Sequence, residues 1–179
     1  MSKKDFEVFL QKQEATQKEE RKIDWNKRKE DWIGYIDEFY EKVEQWLEDY
    51  AKQNKVAIHF ERTTLNEGFI GSYDTRILHL KMANHVVVFS PIGTLLIGAH
   101  GRIDMEGTAG KAQFVLVAKD STGISTSVIT FRDAQYEEVN EHEQEIEWTW
   151  KIATPPPKIR YIELNEESFF DALMEVVNG

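Results

Sequence analysis

The chain has 179 residues, 22 Lys and Arg against 32 Asp and Glu, a formal net charge of −10, and no cysteine. That length suits one domain of ordinary size, which needs no disulfide or metal to hold its core. The missing cysteine excludes disulfides, thiolate zinc sites, iron–sulfur clusters and cysteine nucleophiles, and the acidic balance argues against nucleic-acid backbones as partners.

Met1-Ser2-Lys3-Lys4-Asp5 leads into a charged stretch rather than the apolar core of a secretory leader. No apolar run approaches the roughly 20 residues that span a bilayer. Ser2 rules out myristoylation. A cytoplasmic protein without membrane association is expected.

Residues 1–55 read as a helical extension. Ser2 and Asp5 have capping-box spacing and open a first helix whose apolar residues, Phe6, Val8, Phe9 and Leu10, form one cluster. The rest of residues 1–22 is almost wholly polar, so that stretch is solvated or frayed. Over residues 24–54 the pattern is stronger. Trp25, Trp32, Ile36, Phe39, Val43, Trp46 and Tyr50 follow heptad spacing, with Ile33, Tyr40 and Leu47 widening the stripe. So broad a face suits packing on a sheet better than a narrow coiled coil. Its first half is flanked by charge, however, which makes Trp25, Trp32, Ile36 and Phe39 candidates for contact with a partner or a second copy.

From Val56 the period becomes two. Val56, Ile58 and Phe60 alternate with polar or small residues, and further strands are expected at 76–82, 85–90, 93–99, 101–106, 111–119, 125–132, 145–152 and 158–163. Breakers mark the connections: Ala83-Asn84, Pro91, Gly98, Gly107 to Gly110, and Asp120 to Gly123. No gap holds a helical pattern, so an antiparallel meander is favoured over parallel crossovers. Pro155-Pro156-Pro157 forms a stiff hinge before the last strand. Asn165 then caps a helix over 166–177, with Phe169, Phe170, Leu173, Met174, Val176 and Val177 facing the core.

The expected fold is α+β: N-terminal helices, a meander of about eight or nine strands in a curled or barrel-like sheet, and a C-terminal capping helix. Residues 1–55 form the extension and 56–179 the β domain. This order of elements resembles pleckstrin-homology-like domains by analogy alone. Residues 91–104, PIGTLLIGAHGRID, and residues 148–179 also resemble uncharacterised bacterial cytosolic proteins of about this size. That resemblance implies a bacterial cytosolic origin and brings no activity, ligand or partner.

Chemistry-bearing residues are few. His59 and His79 fall on the polar faces of their strands and could be cross-strand neighbours, yet no H-x-H or H-E-x-x-H spacing supports a metal. Arg102, Asp104 and Glu106 alternate with Ile103 and Met105. Carboxylates beside an arginine can serve acid–base work or ligand contact, but an ordinary amphipathic strand looks the same. The run from Glu137 to Glu147 carries six Glu and one His. It reads as a solvated acidic loop rather than a calcium site, since it lacks the spaced Asp ligands and turn glycine. The acidity lies mainly after residue 55, where 10 basic residues face 18 acidic ones. Glycines 93, 98, 101, 107 and 110 form no phosphate-binding loop, and Ser121, Ser125 and Ser127 sit in no nucleophile elbow. Trp148 and Trp150 share a strand face with Ile146 and Ile152, a core signature or the wall of a ligand groove.

No catalytic group, metal or cofactor is therefore expected. The favoured function is a non-enzymatic protein-interaction or scaffold module, self-associating through its N-terminal helix. The alternative is a small-ligand binder or enzyme with a pocket in the curved sheet, drawing on His59, His79, Arg102, Asp104 and Glu106.

Overall fold

The structure, a computed structural model, describes residues 3–22, 24–94, 99–123 and 146–179. Helix α1 (Lys3–Lys22) precedes the long helix α2 (Trp25–Lys52). The capping box expected at Ser2 lies outside the described residues. Asp24 caps α2 by accepting from the Lys27 amide at 3.0 Å. At its other end the Asn54 amide donates to Ala51 and the Lys55 amide to Tyr50, at 3.0 and 2.9 Å. Asn54 sits at φ 56°, a left-handed position that asparagine tolerates, and the helix stops there.

Seven strands follow among the described residues: β1 (Val56–Glu67), β2 (Gly71–Met82), β3 (His85–Gly93), β4 (Gly101–Glu106), β5 (Lys111–Ala118), β6 (Trp148–Ala153) and β7 (Tyr161–Glu163). They lie in sequence order, each antiparallel to the next. Helix α3 (Glu166–Asn178) starts at a capping box in which Asn165 accepts from the Ser168 amide at 2.9 Å and Ser168 Oγ accepts from the Asn165 amide at 3.0 Å.

The α+β architecture and the antiparallel meander agree with the sequence reading; the strand count and the closure do not. β3 runs through Pro91 instead of breaking there, with a register shift between Pro91 and Gly93 that absorbs the missing donor. The strand expected at 93–99 thus begins as the end of β3, and 95–98 lie outside the described residues. So does the strand expected at 125–132. The sheet is open, since β1 and β7 stand at opposite ends of the order. Closure is unnecessary because two helices cover the inner face.

That face is where the core lies. Trp32, Ile36, Phe39, Tyr40, Val43 and Leu47 of α2 are buried against Leu78, Leu80, Phe89, Ile103, Phe114 and Trp150. The Phe39 ring centroid is 4.9 Å from Phe114 and 5.2 Å from Trp150. α3 completes the layer, with Phe169 5.1 Å from Trp46 of α2. Helix and sheet therefore share one core across the junction at residue 55.

Two glycines make this packing possible. A Cβ on Gly101 would fall on the six-membered ring of Trp32. One on Gly93, at φ 145°, would meet the carboxylate of Glu67.

Candidate functional site

The sheet candidates all project from the face opposite α2. His59 and His79 are paired across β1 and β2, with ring centroids 6.1 Å apart, and His79 Nε2 lies 2.8 Å from Glu61 Oε2. Arg102 pairs with Asp104 on its own strand at 2.8 Å, and Glu106 pairs with Lys111 across the β4–β5 turn at 3.3 Å. His79, Val88 and Glu106 stand in one cross-strand row, so two strand spacings, about 10 Å, separate the imidazole from that carboxylate. The five residues do not converge on one site. Among the described residues no group of three His, Asp or Glu could hold a metal ion.

The helix candidates divide. Trp32, Ile36 and Phe39 are 0%, 1% and 0% exposed, occupied by the chain's own sheet and out of reach of a second chain. Their burial also fills the inner face of the sheet, where the pocket of the alternative reading was expected. Trp25 lies at the margin, its ring stacked on Phe69 at 5.6 Å. A cluster of exposed apolar residues lies on α1 instead. Phe6, Val8, Phe9 and Leu10 are 43–58% exposed, and Phe6 stacks on Phe9 at 6.5 Å.

A cleft of about 580 Å³ opens where the first turns of α2 meet the end of the sheet. Arg28, Ala99, His100, Ala118, Ser121 and Trp148 line it. The His100 imidazole lies flat on the Trp148 indole, 4.2 Å between centroids and 16° between planes. The backbone holds this wall in place, since the His100 amide donates to Leu116 at 2.7 Å. Arg28 Nη2 donates to the Thr94 carbonyl at 2.9 Å, while the guanidinium carbon lies 5.7 Å from the Trp25 ring. Glu67 grips the other side of the same residue, accepting from the Thr94 amide at 2.6 Å. Its second oxygen accepts from Tyr73 Oη at 2.5 Å, and Tyr73 Oη accepts from Trp32 Nε1 at 2.9 Å. A chain of polar contacts thus runs from the core tryptophan to the rim of the cleft.

Electrostatics follow from these neighbours. Burial, then the nearby Arg28 charge, pushes the His100 pKa below its ordinary value, with Asp31 opposing. His100 is accordingly neutral at pH 7. Burial first, and the Glu67 carboxylate second, push the Tyr73 hydroxyl upward, so it stays a donor. For a histidine whose folded pKa is depressed, the unfolded chain binds the proton more readily. The stability His100 contributes is complete above about pH 6.5 and declines as pH falls toward its lower folded value. In Arg28→Gln the folded pKa of His100 should rise, which NMR titration of its ring protons would measure; an unchanged midpoint would contradict the coupling.

Arg28 and His100 were missed by sequence reasoning. One is a charged residue on the polar side of an amphipathic helix, and the other follows a run of small and apolar residues between strands. Only the folded sheet brings them together. Trp148, read as core or groove wall, forms the wall. The Glu137 to Glu147 run falls outside the described residues except at Ile146 and Glu147, and Glu147 pairs with Lys119 at 3.3 Å.

Comparison of the chain with protein-family models, with curated proteins and with solved structures finds no match. Among the described residues no helix is long and apolar enough to cross a membrane.

Proposed function

We propose that this chain is a non-enzymatic interaction module of the cytoplasm, self-associating through α1, with the helix-backed sheet as its rigid frame. One observation carries the reading: Phe6, Phe9 and Leu10, at i, i+3 and i+4, project from α1 into solvent. That spacing places three anchors on one helical face, the arrangement by which a helix grips an apolar partner. A second copy of α1 fits it. In an antiparallel pair centred on Phe9, the Phe9 rings of the two copies meet, flanked by Phe6 and Leu10 of each. The contact is two-fold symmetric. The patch is smaller than a standard interface, so a weak dimer is expected, with a dissociation constant on the order of 0.1 mM.

Sedimentation equilibrium tests this. The average mass of the full chain should rise above that of the monomer as concentration increases. The double variant Phe6→Ser, Phe9→Ser should remain monomeric with an unchanged unfolding midpoint, since neither ring belongs to the core cluster. A full chain that stays monomeric at millimolar concentration would overturn the reading. A second reading, a small-ligand binder, is supported by the Arg28–His100–Trp148 cleft rather than by the sheet interior.

A further inference from the structure

We propose that the cleft between α2 and the β4–β6 end of the sheet binds a small aromatic carboxylate. The inference stands apart from self-association, because the cleft shares no residue with α1.

The first argument is the unspent cation. Among the described residues no carboxylate forms an ion pair with Arg28, and its buried Nε has no hydrogen-bond partner. The bond from Nη2 to the Thr94 carbonyl fixes the plane of the guanidinium without neutralising it. A planar fork held in one orientation is matched by a planar two-oxygen anion.

The second argument is the wall. The outer side of the His100–Trp148 stack is flat and largely apolar, and among the described residues the small side chains of Ala99, Ala118 and Ser121 leave room beside it. A flat ring can lie against such a surface at little cost in side-chain ordering, because stacking and the His100–Leu116 hydrogen bond already fix the wall. The volume, about 580 Å³, is within the range of small-molecule sites.

Charge sets the valence of the ligand. Arg28 supplies one positive charge, His100 is neutral at pH 7, and Asp31 is close enough to act on His100. A chain with net charge −10 offers no surplus to hold a dianion there. A monoanionic carboxylate fits this balance better than a phosphate monoester.

The test uses the full chain and benzoate as probe, with binding read from the NMR signals of the His100 and Trp148 side chains. Benzoate should give a saturable shift at millimolar concentration. Benzamide, its neutral counterpart, should bind at least about tenfold more weakly, as should benzoate to Arg28→Gln. Cyclohexanecarboxylate, with the charge but no flat ring, should bind several-fold more weakly. No saturable shift with benzoate would overturn the site. Equal binding of benzamide, or of benzoate to a folded Arg28→Gln chain, would overturn the role of the charge. Inorganic phosphate binding as tightly as benzoate would overturn the carboxylate assignment. The benzamide comparison needs no variant and decides the matter even if Arg28→Gln fails to fold.

Discussion

Replacing Trp32 by alanine should cost about 3–5 kcal/mol, a large part of the stability of an ordinary domain. The side chain is fully buried between α2 and the sheet, 5.8 Å from the Trp150 ring and directly over Gly101. Alanine would leave a cavity that neither the β4 backbone nor a rigid indole can fill. It would also remove the donor to Tyr73 Oη. Trp32→Phe keeps most of the volume and should cost less, about 1–2 kcal/mol. Tyr73 would still donate to Glu67. Urea unfolding of the three proteins measures the series. An unchanged midpoint for Trp32→Ala would return Trp32 to the surface and overturn the packing described for α2.

Lys151→Met should be nearly as damaging, about 2–4 kcal/mol, although it removes a charge from the strand face opposite Trp150. Lys151 is only 3% exposed. Its ammonium donates to the carbonyls of Lys119 and Ser121 at 2.7 and 2.8 Å and lies 3.1 Å from Glu163. Methionine matches the length but leaves two carbonyls without their donor. Glu163 is mostly in water, so Glu163→Gln should change stability by no more than about 0.5 kcal/mol. The contrast between the two variants separates the carbonyl bonds from the ion pair. Hydrogen exchange gives a local readout. The Tyr161 amide, which donates to Thr122 at 2.9 Å, should exchange faster in Lys151→Met.

Lys151 also shows where periodicity stops being informative. Alternation places it correctly on the face opposite Trp150, but alternation carries no information about a turn folding back over that face. β1 and β2 run on to Glu67 and Gly71, past the polar stretch Glu61-Arg62-Thr63-Thr64. Their length is supported by contacts that no period encodes, including Thr64 Oγ1 donating to Asp74 at 2.8 Å and Arg76 pairing with Asp37 at 2.9 Å. The heptad seam of α2 was legible as an apolar face, and its breadth pointed to a sheet. What the seam cannot distinguish is a partner within the chain from one outside it, since both require the same side chains. The cleft was not legible. Its cation, its imidazole and its indole come from three separate segments, each with an ordinary local explanation.

The order of elements along the chain has a consequence for biosynthesis. α2 leaves the ribosome before any strand that will cover it, and Trp150, one of its closest aromatic neighbours, comes from β6. At about 5–20 residues per second, the interval between the two is on the order of ten seconds. Until those strands are complete, the Trp32–Leu47 stripe is an amphipathic helix with only part of its cover. The surface that is wholly interior in the finished protein is thus the nascent chain's stickiest feature, and the one on which a chaperone would act. Truncated translation products ending before β3 should show it directly, by binding a hydrophobic dye that the full chain excludes.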